Sequence, residues 1–128
     1  MPLSGFGLPK KNRLKGKKRI DRLFLEGDSL KVKQLKVVYL RAPEQAEFCV
    51  GVSSPKKLMP KAVHRNRVRR LLREHFRLMR PEWTEQQWSG MQLMWIFLGK
   101  RLPKHEEIEA PMRTLIEKIL QSDEAPQD

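Results

Sequence analysis

The chain has a single cysteine, Cys49, among 128 residues. That excludes an internal disulfide and fits a reducing compartment. No apolar run approaches the roughly 18–20 residues that a membrane-spanning helix needs. The N-terminus has basic residues but no apolar segment behind them, which argues against a secretory signal and makes the cytoplasm the default. Glycine-rich phosphate loops are absent. The three histidines, His64, His75 and His105, have no metal-ligand spacing, and no Ser/His/Asp or paired-carboxylate pattern stands out. Glu106, Glu107 and Glu109 are the densest acids, but they sit where a helix is expected to open, and the helix N-terminus favours negative charge there. An autonomous nuclease is therefore disfavoured, and no protein metal site is expected. Aromatic residues are few, at 7%, and the apolar fraction is 39%. That is lean, yet enough for one packed core in a chain of this length.

What the chain does have is positive charge, +12 at neutral pH, and it is unevenly placed. Residues 10–22 carry eight Lys/Arg and one acid, Asp21; residues 56–80 carry ten and one acid, Glu74. The rest is mildly acidic. Two basic patches on such a background attract a polyanion.

Apolar periodicity divides the chain into elements. Ile20, Leu23 and Phe24 predict a short helix over Lys17–Glu26, with Gly27 at its C-cap. Gln34–Arg41 and Glu47–Ser53 read as strands, joined by an Ala-Pro-Glu-Gln-Ala loop and expected to pair antiparallel. A short extra strand before Gln34 is allowed by the pattern. A long helix is predicted over Lys61–Arg80, with Pro81 as its stop. Residues 83–90 read as irregular. Met91–Leu98 is nearly all apolar, as in a strand covered on both faces. Glu106–Leu120 is a final amphipathic helix, which Pro111 should kink or begin. Residues 1–15 are expected as a basic, flexible lead-in, 16–121 as one domain, and 122–128 as a disordered tail. Cys49 and Trp95 are expected in the core, with Trp83 and Trp88 anchoring a loop.

The stretch HRNRVRRLLREHFR, residues 64–77, carries six arginines. At about 100° per residue, Val68, Leu71, Leu72, Phe76 and Met79 share one arc, while Arg65, Arg69, Arg73 and Arg77 step along the opposite flank with Asn66 and Arg70. A disordered tail has no reason to keep apolar residues in such register. A merely solvated face would mix charge signs, whereas this one holds Glu74 alone. Arginine is also the side chain that grips phosphates bidentately. Nucleic-acid backbone is the ligand these features imply.

The run Ala62-Val63-His64-Arg65-Asn66-Arg67-Val68-Arg69-Arg70-Leu71-Leu72-Arg73-Glu74 resembles the arginine signature of the protein subunit of bacterial ribonuclease P. Val50-Gly51-Val52-Ser53 followed by Lys56-Lys57 is similar to the family's strand and basic loop. Arg13-Leu14, Phe24 and Gly27 resemble its opening helix. The likeness covers about residues 10–120. It implies an α/β (α+β) sandwich of order α-β-β-(β)-α-β-α with an unusual left-handed β-α-β crossover.

The resemblance also implies a division of labour. The RNA subunit would be the catalyst, removing the 5′ leader of precursor tRNA with Mg²⁺ held mainly by RNA. Arg65, Asn66, Arg67, Arg69, Arg70 and Arg73 would bind that RNA. Phe24, Tyr39, Lys56 and Lys57 would line the leader cleft, and Lys11, Arg13, Lys17, Lys18, Lys61 and Arg77 would add basic contacts. No catalytic residue, membrane or protein partner is implied, and the isolated protein would be a monomer. The chain departs from the family at Ile20, where an aromatic is common. It also departs at the end of the last strand, where Gly99-Lys100-Arg101 replaces a more usual Ala-Arg, and at Ser54-Pro55, which lengthens a loop. A structural RNA-binding protein of ribosomal type is the alternative, and a duplex-DNA reader is disfavoured by scarce Asn and Gln on the helix.

Overall fold

The computed structural model describes residues 9–124. The expected lead-in over 1–8 and tail over 125–128 lie outside the described residues. The chain folds as α1 (Lys17–Glu26), β1 (Asp28–Val32), β2 (Leu35–Arg41), β3 (Cys49–Ser53), α2 (Ala62–Met79), α3 (Glu85–Trp88), β4 (Met91–Phe97) and α4 (His105–Glu124), with single 3-10 turns at Lys10–Asn12 and Arg80–Glu82. The strands make one sheet in the order β1-β2-β4-β3. This is a mixed α/β domain.

Strand alternation assigns the two faces. Leu35, Val37, Val50, Leu93, Trp95 and Phe97 join Val68, Leu72, Phe76 and Met79 of α2, and Ile108, Met112, Leu115, Ile116 and Ile119 of α4, in the main core. On the opposite face Val38, Cys49 and Met94 pack with Leu23 of α1 and Leu14. Covered on both sides, β4 is buried at six of its seven residues. That accounts for its continuous apolar run.

The expected antiparallel pairing of the strands at 34–41 and 47–53 does not form. β4 lies between them, antiparallel to β2 and parallel to β3. The most apolar strand takes the central place, where both faces are dry, and β2 instead forms its hairpin with β1 through Lys33–Gln34. The short extra strand is thus present. Because β3 and β4 are parallel neighbours, α2 is the helix of a β-α-β unit.

Several local features have a chemical cause. Gly27 follows α1 with φ −80°, so it is not a left-handed cap. A Cβ there would lie 2.5 Å from the Leu23 carbonyl oxygen and 2.6 Å from that of Tyr39, and only glycine allows this approach. The segment expected to be irregular contains α3. Thr84 opens it with a capping box, in which its hydroxyl accepts from Gln87 N–H at 3.2 Å and its own N–H donates to the Gln87 side chain at 2.9 Å. Pro111 lies inside α4, which begins six residues ahead of it. Residues 9–15 are partly fixed: Asn12 is buried and donates to the Phe48 carbonyl at 2.9 Å, and Leu14 N–H donates to Val50 at 3.0 Å.

Candidate nucleic-acid interface

Helix α2 is held by burial rather than by its charges. Val68, Leu72, Phe76 and Met79 are buried, each contributing roughly 1.5–3 kcal/mol. Arginine pairs at i,i+4 oppose this by only a few tenths of a kcal/mol each. Packing wins, and the arginines are carried on a rigid support.

Their environments differ more than periodicity suggests. Arg65 was expected on the outer flank, yet it lies in the arc of Leu72 and Phe76. It donates to the carbonyls of Met59 at 3.1 Å and Pro60 at 2.6 Å, pinning the loop that enters α2. Arg69 donates to the Asn66 side chain, and Arg77 to Glu74 at 2.7 Å. Arg67, Arg70 and Arg73 are exposed and have no hydrogen-bond acceptor or carboxylate partner among the described residues. Leu71 is only half-buried, because it turns toward a shallow outer groove shared with Val63, Asn66, Arg67 and Arg70. The core place it was expected to fill goes to His75.

The two basic patches of the sequence meet in space. Arg13 bridges Val50 at the edge of β3, against which α2 packs. Partial desolvation, then Arg13, Arg69 and Arg70, push the Arg73 guanidinium below its ordinary value. It stays charged at any physiological pH. Such a gathering of like charge fits an anionic ligand.

Much of the charge around α1 is compensated. Lys17 pairs with Asp21 at 3.2 Å, Arg22 with Glu26 at 3.2 Å and with Glu44, and Lys11 with Glu47 at 3.6 Å. Arg19 donates to Gln45 at 3.0 Å and to Cys49 Sγ at 3.3 Å. Arg22 is held above, and Glu44 below, its ordinary pKa by their mutual hydrogen bond. Lys18, Lys56, Lys57 and Lys61 are exposed.

Phe24 and Tyr39 are not brought together. Phe24 stands 49% exposed on α1, over the face that holds Val38. Tyr39 alternates to the other face and packs against the main core. No side-chain aromatic rises from β2 or β4 on the α1 face, where the strands offer Val38, Leu40, Met94 and Ile96. The histidines also divide: His75 is buried, its ring 4.4 Å from that of His105, and His105 lies 3.4 Å from Glu109. Glu107 accepts from the Lys104 N–H at 2.7 Å at the start of α4. Among the described residues no group of three His, Cys, Asp or Glu could hold a metal ion, and no helix is long and apolar enough to cross a membrane. Asn12, the buried anchor beside Arg13, was missed because the residues around it show no periodicity.

A model of the Ribonuclease P family matches residues 8–120. A ribonuclease P protein component from Chlorobaculum tepidum is 33% identical over 94% of this chain and 86% of its own length. Another, from Porphyromonas gingivalis, is 44% identical over 57% of this chain and 55% of its own length. The Staphylococcus aureus RNase P protein structure superposes with a TM-score of 0.70 at 22% identity, covering 84% of this chain and 94% of that one. The Thermotoga maritima RNase P protein superposes at 0.56 and 25% identity, covering 91% and 98%.

Proposed function

Because the chain belongs to the ribonuclease P protein family, we propose that it is the protein subunit of a ribonuclease P holoenzyme that matures the 5′ ends of tRNA. In this reading α2 binds the catalytic RNA, and the open end of the α1 face receives the 5′ leader of precursor tRNA. The RNA performs the Mg²⁺-dependent cleavage, with the metal held by RNA and substrate. The protein acts in the cytoplasm as a monomer until it meets its RNA.

The proposal rests on the trio Arg67, Arg70 and Arg73, rigidly mounted, exposed and without acidic partners among the described residues. Guanidiniums in that state gain most from phosphate, because no internal salt bridge must first be broken. Asn66 and Arg69 can join by exchanging their mutual bond for RNA. Arg65 acts indirectly, by fixing the loop before the helix. Phe24 offers one ring for stacking an unpaired base, and Lys56 and Lys57 lie beyond the end of β3 as leader contacts. Tyr39 is left to packing.

The test is the salt dependence of binding to a bacterial ribonuclease P RNA. Replacing Arg67, Arg70 and Arg73 together by Gln should lower the slope of log K against log salt by about 2–3 units. A slope equal to that of the unaltered protein would remove α2 from the interface.

A further inference from the structure

Helix α2 carries an apolar notch on the side turned away from the core. Val63, Asn66, Arg67, Arg70 and Leu71 surround a groove of about 350 Å³. At about 100° per residue Val63, Arg67, Arg70 and Leu71 share one arc, and the helical rise sets Val63 and Leu71 about 12 Å apart with Arg67 between them. Val63 is 75% exposed, and Leu71 is half-buried. Positions three and four apart are neighbours on a helix surface, so the aliphatic groups and the arginine stems form one patch.

The polar side chains of this groove offer donors. Arg67 and Arg70 have no acceptor or carboxylate among the described residues. Arg69 donates to the side-chain oxygen of Asn66, which leaves the Asn66 amide N–H groups for a ligand. A phosphate alone would satisfy the guanidiniums but leave Val63 and Leu71 in water, since a hydrated anion gains nothing from aliphatic surface. A second copy of this chain would set arginine against arginine. An unpaired nucleobase suits both halves of the groove: its face stacks on guanidinium planes and aliphatic carbons, and its edge takes hydrogen bonds. The groove volume lies within the roughly 300–1,000 Å³ of small-ligand sites. Donors alone favour an edge made of acceptors alone. Guanine N7 and O6 make such an edge and pair with arginine, whereas adenine and cytosine each present an amino group.

We propose that this notch takes one unpaired guanine of the catalytic RNA, so that α2 reads a base as well as phosphate charge. This deepens the reading of α2 as the RNA-binding helix and rests on it. Arg67 and Arg70 hold the base, Asn66 donates to its edge, and Val63 and Leu71 close the notch at its two ends. Both arginines keep their charge beside the flanking phosphates, so the salt slope expected of the trio is unchanged. Arg73, outside the groove, remains a phosphate contact.

The test uses the full-length chain and a bacterial ribonuclease P RNA, bound across a salt series. Val63→Ser and Leu71→Ser together should weaken binding about tenfold at every salt concentration, in the range of one stacked base. The slope of log K against log salt should stay as it is. Val63→Ser alone, at an exposed position, should cost about threefold through lost apolar contact, which keeps the test decisive if Leu71→Ser fails to fold. In the complex of the unaltered protein, dimethyl sulfate should spare the N7 of one unpaired guanine that it methylates in the free RNA. With saturating double variant that reaction should return. Unaltered affinity in both variants, a loss accompanied by a lower slope, or protection that is missing or survives the double substitution would overturn the proposal. Unaltered affinity would leave the groove to an acidic protein segment. Each of these results spares the α2 reading as long as the triple arginine variant lowers the slope; an unchanged slope in that variant removes both.

Discussion

At the scale of single residues, identical side chains perform different work. Arg65 holds two backbone carbonyls, whereas Arg70 has no hydrogen-bond or carboxylate partner among the described residues. Arg65→Ala should therefore cost about 1–3 kcal/mol in urea unfolding and leave the salt slope of RNA binding nearly unchanged. Arg70→Ala should do the reverse, with stability within about 0.5 kcal/mol and a slope lower by about one unit. Matching effects from the two variants would contradict the division. His75 supplies a pH signature. Burial lowers its pKa, and His105 lowers it further against the opposing pull of Glu109 and Glu74. A neutral, buried histidine means that the unfolded chain binds the extra proton. The stability it supports is complete above the unfolded pKa of about 6.5 and declines as pH falls from there toward the depressed folded value. His75→Asn should flatten that part of the stability–pH curve, and an unaltered decline between pH 7 and 5.5 would place its cause elsewhere.

At the scale of elements, α3 is the clearest case of a local signal outweighing a lack of periodicity. Four residues cannot stand as a helix without help. The Thr84–Gln87 box ties its start, and Trp88, buried with its indole N–H donating to the Arg80 carbonyl at 3.0 Å, ties its end. Thr84→Ala should cost about 0.5–2 kcal/mol, read as a lower urea midpoint at constant m-value. The threonine with glutamine three residues on was legible in the sequence, but only to a search for caps rather than for apolar spacing. α1 and α2 were legible because each keeps an apolar stripe in register. Arg65 was not, since a helix begins over a loop, and at that end the inward arc meets Met59 and Pro60 carbonyls instead of side chains. The wrong pairing of β2 with β3 came from nearness in the chain. Which strand stands between them is decided by burial on both faces, and the run at 91–97 declared that burial without declaring its neighbours.

For the whole molecule, charge is sorted by surface. Acids of the 44–47 loop and α1 neutralise much of the first basic patch, while Arg67, Arg70 and Arg73 on α2 have no acidic partner among the described residues. The core is assembled from α2, α4 and the sheet without any contribution from these cations. Binding and folding thus draw on different residues, which is why the single-site predictions can separate them. On the proposed function the protein would contribute position and charge, and the RNA would perform the chemistry.

The role of a ribonuclease P subunit is tested by the rate of precursor tRNA cleavage by a bacterial ribonuclease P RNA at low Mg²⁺, measured with and without the purified protein. Cleavage should be faster with the protein present, the gain should be larger for substrate bearing a leader than for substrate with a minimal one, and the protein alone should not cleave. Equal rates with and without the protein, or cleavage by the protein in the absence of RNA, would contradict it.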